Sequence, residues 1–204
     1  EGADRVTGLA IDVGCGEGQV ARVAAAVGLD VLGVDPAQSQ IDVAVRRGGG
    51  PRYRKGSAVD LPAGDGAADV AIACLVFEHI ADLDAALAEV ARVLRPGGRF
   101  LFLLNHPLLQ TPGSGWIDDQ VLDPPEQYWR IGPYLREAET IEEVEKDVFI
   151  RFFHRPLSRY LNAAHDAGLV LERMEEPAPP PGFLARAEEY ADAEYISCTD
   201  PRSL

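Results

Sequence analysis

Leu9-Ala10-Ile11-Asp12-Val13 is a β-rich run broken off by glycines at 14, 16 and 18, and Val20 to Val27 behind them reads as a helix ended by Gly28. A strand that turns through glycine straight into a helix leaves few architectures open, because the helix must run back along the sheet that holds the strand. The rhythm repeats. Val31-Leu32-Gly33-Val34 is a second strand and Ser39 to Arg46 a second helix, ended by Gly48 to Gly50. Arg52 to Lys55 makes a short third strand, and Val70 to Leu75 a fourth that is apolar on both faces, as a central parallel strand should be. Asp82 can cap a helix whose Leu83, Leu87, Val90 and Leu94 form one buried stripe. Pro96-Gly97-Gly98 ends that helix before a fifth strand, Arg99 to Leu104. The expectation is a doubly wound α/β fold on a parallel sheet.

After Leu104 the alternation stops. Asn105 to Pro125 reads as loop, with four prolines and two glycines, and Tyr128 to Leu135 suits pairing with Val144 to Phe153 as an antiparallel hairpin. Ser158 to Ala167 is helical with Gly168 as its stop, and Leu169 to Met174 is a strand candidate. A Pro-rich turn over Pro177 to Gly182, a polar helix and a weak strand at Tyr195-Ile196-Ser197-Cys198 complete the reading. Ten of the fifteen aromatic residues fall between Phe100 and Tyr160, which makes this the part able to grip a large apolar ligand.

Composition removes several classes of function. The 204 residues are 47% hydrophobic and 25% charged, values of a globular chain with enough length for a core of its own. The longest apolar run, Val70 to Phe77, is far short of a bilayer span, so no membrane role is expected. A net charge of −14 disfavours nucleic acid as a partner. Cys15, Cys74 and Cys198 are odd in number and widely spaced, which argues against a disulfide framework or metal site and for a reducing, cytoplasmic setting.

Asp12-Val13-Gly14-Cys15-Gly16-Glu17-Gly18 carries the chemistry. Glycines there let backbone approach a ligand closely beside the positive end of a helix. A dinucleotide loop is G-x-G-x-x-G, whereas the third-glycine position here is Gln19, which speaks against a nicotinamide-dependent oxidoreductase without removing it. Asp35 follows the second strand, 21 residues after Gly14, where a carboxylate can accept two hydrogen bonds from a ribose diol. Asp60-Leu61 follows the third strand, where the acid can receive an adenine amino group while Leu61 packs on the ring. Acids at successive strand ends describe a nucleoside pocket at the point where strand order reverses.

With these residues placed, the chain resembles the class I S-adenosylmethionine-dependent methyltransferases of the small-molecule subgroup. The resemblance rests on Ile11 to Gly18, Gly33-Val34-Asp35, Asp60-Leu61-Pro62, Phe77-Glu78-His79-Ile80 and Arg92-Val93-Leu94-Arg95-Pro96-Gly97-Gly98, in order over residues 9–104. Phe153-His154-Arg155-Pro156-Leu157-Ser158 is similar to an acceptor-side segment of one branch. The resemblance implies a Rossmann-like sheet with a hairpin and loop insertion after the fifth strand, in one domain spanning 1–204. Residues 1–104 would bind S-adenosyl-L-methionine, 105–155 would cover the acceptor, and 156–204 would add a helix and strand. It implies that Asp12, Gly14 and Gly16, with Cys15 between them, line the methionine part of the cofactor. Asp35, with Pro36 beside it, would hold the ribose, Asp60 and Leu61 the adenine, and Cys74 would offer backbone to the methionine amine. Few residues precede the first strand and the last residues are polar, so a lid or sheet edge is expected from elsewhere, a second subunit included.

Methyl transfer to a small or medium-sized, partly apolar acceptor follows, by nitrogen, oxygen or carbon. A protein that binds the cofactor without transferring methyl is the alternative from another class. A base is needed only when the acceptor loses a proton, and the histidines are its candidates. His79 follows the fourth strand, as a cofactor or acceptor contact or a simple turn residue. His106 follows the fifth strand and His154 closes the apolar hairpin, and these two are the candidate catalytic residues, His106 slightly ahead. The six acids of Glu137 to Asp147 read as a solvated face.

Overall fold

A computed structural model describes residues 8–178. The expected polar helix, the Tyr195 to Cys198 strand and the rest of the Pro177 to Gly182 turn lie outside the described residues. The chain divides into two units, Glu1–Val170 and Leu171–Leu204. All named elements belong to the first, and the described part of the second, 171–178, has no regular structure.

Five parallel strands are built as expected: β1 Leu9–Val13, β2 Asp30–Asp35, β3 Arg52–Lys55, β4 Ala68–Cys74 and β5 Leu94–Leu103. Their order in the sheet is β3-β2-β1-β4-β5. The chain steps outward from β1 to β3, then returns to place β4 on the other side of β1. Strand order therefore reverses between β1 and β4, and ligands of such sheets sit in the crevice outside those carboxyl ends.

The period-two alternation of β1 divides the core. Ala10 faces Ala21 and Ala24 of helix α1 (Gln19–Ala26), together with Val31 and Ile72. Ile11 and Val13 face the larger core, with Leu83, Leu87 and Val90 of α3 (Leu83–Val93) and Tyr160 of α4 (Leu157–Asp166). The small residues on the first side let α1 lie close to the sheet. On the second side Phe77 is fully buried, with ring centroids 5.9 Å from Phe100 and 5.0 Å from Phe102. Burying a side chain of that size contributes about 1.5–3 kcal/mol. Helix α2 (Gln38–Arg47) connects β2 to β3 and ends on Arg46 and Arg47, cations suited to a helix carboxyl end.

Three expectations are corrected. Helix α3 stops at Val93, three residues before Pro96, because Arg95 precedes a proline and is pushed out of helical geometry. Strand β5 accordingly starts at Leu94, opposite Ala68, then slips so that Val70 faces Arg99. The second half holds two hairpins rather than one. β6 (Gly115–Asp119), inside the stretch read as loop, pairs with β7 (Glu126–Arg130), and β8 (Ala138–Glu145) pairs with β9 (Val148–His154). Lys146-Asp147 makes the two-residue turn of the second hairpin, with Asp147 at φ 64°, and such a turn fixes the register of its strands. The acid-rich sequence of β8 hides it from a reading that looks for apolar alternation. Leu169 to Met174 forms no strand.

Candidate functional site

The glycine turn is fixed from outside itself. Gly14 N and Cys15 N both donate to Val34 O, at 2.8 and 3.0 Å, which holds the turn against the end of β2. At Gly14 (φ 69°) a Cβ would run into the Val76 side chain, so the turn lies flush on the segment after β4. Gly16 (φ 50°) differs: a Cβ there would meet nothing nearer than Gln40 Oε1 at 4.0 Å, leaving that side of the turn free for a ligand.

Asp12 sits below the turn and is 1% exposed. Its Oδ2 is buried without a hydrogen-bond partner. Burial pushes the carboxyl up to about 7, the Ala21 backbone N–H opposes this, and the Asp35 charge adds to it. Ala21 is the third residue of α1, whose Gly18 cap has no side chain, so Asp12 serves as a cap reaching in from the neighbouring strand. Asp35 is buried and accepts from Gly16 N at 2.9 Å through one oxygen and from Ala37 N at 2.8 Å through the other. It braces the turn and still has lone pairs to offer, since a carboxylate accepts about four bonds. Cys15 is buried beside both acids, and burial first, then the charges of Asp12 and Asp35, push its thiol up to about 12. Burial, then Asp12 and Glu78, raise the Cys74 thiol as well, so both stay protonated and unreactive at neutral pH. The turn, Asp35 with the exposed Pro36, and Cys74 thus stand at the carboxyl ends of β1, β2 and β4.

Asp60 is exposed in the turn after β3. Leu61 beside it is 2% exposed and belongs to the larger core, so its side chain does not face outward to pack on a ring. Its backbone is clamped instead: Leu61 N donates to Glu89 Oε2 at 2.8 Å, and Arg92 donates to Leu61 O at 3.1 Å and Ala63 O at 2.9 Å.

The histidines separate by their hydrogen bonds. His79 is exposed and its Nδ1 donates to Arg151 O of β9 at 2.9 Å, which ties it to the second hairpin. His106 accepts from Leu108 N through Nδ1 at 3.2 Å, so its Nδ1 lone pair is in use. His154 is 2% exposed; its Nε2 donates to Tyr134 O at 2.9 Å, which leaves Nδ1 as a buried acceptor without a partner. The Tyr134 hydroxyl in turn accepts from Leu157 N at 2.8 Å, locking the start of α4.

Two buried charged residues here escaped the sequence reading. Arg155 is 5% exposed and donates to Phe77 O at 3.3 Å, Ile80 O at 2.8 Å and Ala81 O at 2.8 Å, stitching the β9–α4 corner to the segment after β4. Glu78 is 4% exposed, with Oε2 buried and unpaired. Burial raises its carboxyl, while its own backbone, His79 and the Asn105 side chain favour the charged form. Glu78, Asn105, Phe152, His154, Arg155 and Tyr160 help line one small cleft beyond the ends of β4 and β5. Their signal in the sequence was adjacency to His79 and His154, yet only the histidines drew notice.

The match to a methyltransferase domain family covers residues 11–102, the span from β1 to β5. Over those residues the chain carries a methyltransferase domain. A crystal structure of an S-adenosylmethionine-dependent methyltransferase from Mesorhizobium loti superposes with a TM-score of 0.78 at 26% identity, covering 95% of this chain and 88% of that one. The malonyl-[acyl-carrier protein] O-methyltransferase of Serratia marcescens is 39% identical over 107 residues, which is 52% of this chain and 42% of that protein. A ubiquinone biosynthesis O-methyltransferase of Sinorhizobium medicae is 36% identical over 103 residues, 48% of this chain and 42% of that protein. The chain thus spans about two fifths of the length of these curated relatives.

The family's cofactor, S-adenosylmethionine, fits the residues present. The unpaired Asp12 Oδ2 suits an ammonium donor, and Gly16 leaves room where a side chain would intrude. Among the described residues no group of three His, Cys, Asp or Glu could hold a metal, and no helix is long and apolar enough to cross a membrane.

Proposed function

We propose that this methyltransferase transfers a methyl group to a small or medium-sized, partly apolar acceptor. The observation that carries the reading is the buried, unpaired Asp12 Oδ2 beside the glycine turn where strand order reverses. S-adenosylmethionine supplies an activated methyl group when bound. Asp12 binds the amino end of that ligand, Asp35 takes the ribose hydroxyls with the lone pairs its backbone bonds leave, and the Asp60 turn borders the base. Residues 105–155 serve as the acceptor-side cover. Where the acceptor loses a proton, His154 is favoured over His106, because His154 Nδ1 is a buried acceptor without a partner whereas His106 Nδ1 accepts from Leu108 N. The reading is supported by relatives named as O-methyltransferases, one for malonyl-[acyl-carrier protein] and one for ubiquinone biosynthesis. A cytoplasmic setting suits the described cysteines, Cys15 and Cys74, which are both free thiols. No nucleic-acid partner is proposed at a charge of −14, and pairing of two copies is read by sedimentation.

Calorimetric titration tests the reading. S-adenosylmethionine and its demethylated product are expected to bind and NAD is not; NAD binding tighter than both overturns it. Asp35→Ala is expected to lose about 2–5 kcal/mol of cofactor affinity, as for a charge-assisted contact in a desolvated site.

A further inference from the structure

Two of the three buried polar atoms without a partner among the described residues, Glu78 Oε2 and His154 Nδ1, belong to side chains that line the same cleft. Burying a polar atom without a partner costs about 1–3 kcal/mol, so two on one small cleft mark a place built to receive a hydrogen-bonding group. Their surroundings set what each atom can do. His154 gives its Nε2 proton to Tyr134 O, so neutral His154 presents Nδ1 strictly as an acceptor. The remaining cleft walls are mixed: Arg155 spends its guanidinium on three backbone carbonyls, the Asn105 side chain is bonded to Glu78, Gln110 adds an amide, and Leu104, Pro107, Phe152, Phe153 and the Tyr160 ring offer carbon surface.

We propose that Glu78 and His154 form a subsite for a hydroxyl group of the acceptor, with the hydroxyl donating to His154 Nδ1 and accepting from the Glu78 carboxylic acid. A hydroxyl donates and accepts at one atom and, unlike an amine, stays uncharged at neutral pH, and the aromatic part of the wall suits the ring or chain that bears it. Burial of Glu78 favours the protonated form that this arrangement needs. The segment carrying Glu78 is held in place by Arg155, whose bonds to Phe77, Ile80 and Ala81 carbonyls bracket it on both sides. His79, bonded to Arg151 O, fixes the same segment to β9. The subsite is thus assembled from the first half of the chain and the second hairpin together. It rests on the methyl-transfer reading only in calling the ligand an acceptor.

Phenol, anisole and benzylamine serve as probes on the full chain, with ¹⁵N-histidine labelling to follow His154 Nδ1. Phenol is expected to move that resonance as a new hydrogen bond does, and anisole and benzylamine are not. Glu78→Gln, whose amide still donates, is expected to hold phenol within about threefold of the parent, while Glu78→Leu weakens it about tenfold, the worth of one hydrogen bond. No movement up to the solubility limit of phenol, equal movement with anisole, or a preference for benzylamine overturns the proposal. So does a Glu78→Gln loss as large as that of Glu78→Leu. Binding of the demethylated cofactor is measured in parallel: its failure with the phenol result intact sinks the methyl-transfer reading alone, and the reverse sinks the subsite alone.

Discussion

Asp12→Asn isolates the energetic consequence of burying a carboxyl under the glycine turn. Asp12 is raised from 3.8 to about 7, chiefly by burial, and is 1% exposed, so solvent screening takes little from the effect. The sign follows from proton counting. Between these values the folded protein holds a proton on Asp12 that the unfolded chain has released, so stability falls as pH rises through the window. Roughly three pKa units at 1.36 kcal/mol each give a loss of about 4 kcal/mol once pH is well above 7, and about 2–3 kcal/mol of it falls between pH 5 and pH 8. Asparagine keeps the shape and the oxygen that caps α1 but cannot ionise. Urea unfolding of both proteins at pH 5, 6, 7 and 8, without ligand, gives the difference directly. The variant is expected to gain on the parent steadily with pH, reaching a relative advantage of about 2–3 kcal/mol over that interval. A difference that stays flat from pH 5 to pH 8 refutes the reasoning, because it means that Asp12 is ionised, and paired, in the folded chain throughout. Cofactor affinity runs the opposite way: the parent is expected to bind more tightly as pH rises through about 7, since an ionised Asp12 meets the ammonium, and the variant loses that dependence.

Arg155→Met removes a buried donor from three backbone carbonyls, that of Phe77 buried, and is expected to cost about 2–4 kcal/mol in unfolding experiments. Gly14→Ala places a Cβ in the Val76 side chain at a left-handed φ and is expected to reduce cofactor binding at least tenfold, whereas a Val76→Ala background relieves the overlap and restores part of it by calorimetry. Hydrogen exchange with cofactor and acceptor present is expected to protect 105–153; protection confined to 9–80 makes the hairpins peripheral.

Legibility tracked how local each signal was. Four strands of the sheet and the four helices named here could be read from apolar patterns closed by glycine or proline, β3 (Arg52–Lys55) from its place in the strand–helix alternation, and β1 and β3 match to the residue. The glycine turn and Asp35 were legible because a turn of that shape demands those residue types at fixed distances from a strand end. Bonds formed between distant segments were not. Leu61 was assigned to a ligand, but Glu89 and Arg92, almost thirty residues further on, hold its turn so that its side chain enters the core. The β6–β7 pairing was hidden because Trp116 finds Trp129 across a connection that ends in two prolines, a pairing with no local periodicity to announce it. Arg155 and Glu78 were passed over because charge in sequence suggests solvent, whereas here backbone carbonyls and the cleft receive them.

The stretch carrying both hairpins leaves the sheet at Leu103 and comes back at His154, and the cleft is lined from both ends, by Leu104 and Asn105 on the way out and by Phe153 to Arg155 on the way in. Departure and return are therefore neighbours, and what lies between behaves as a cassette held near its two ends, with the His79 bond to Arg151 O beside the return. Lengthening a flexible connection twofold costs only about 0.6 kcal/mol in closure entropy. The clip itself, made by Arg155 and the Tyr134 hydroxyl, uses backbone partners at the rim and is indifferent to the cassette's size. A scaffold with this joint can exchange the walls of the cleft while its parallel strands stay as they are, so grafting a different 105–153 segment that keeps a tyrosine at position 134 is a route to a new lining that leaves the sheet untouched.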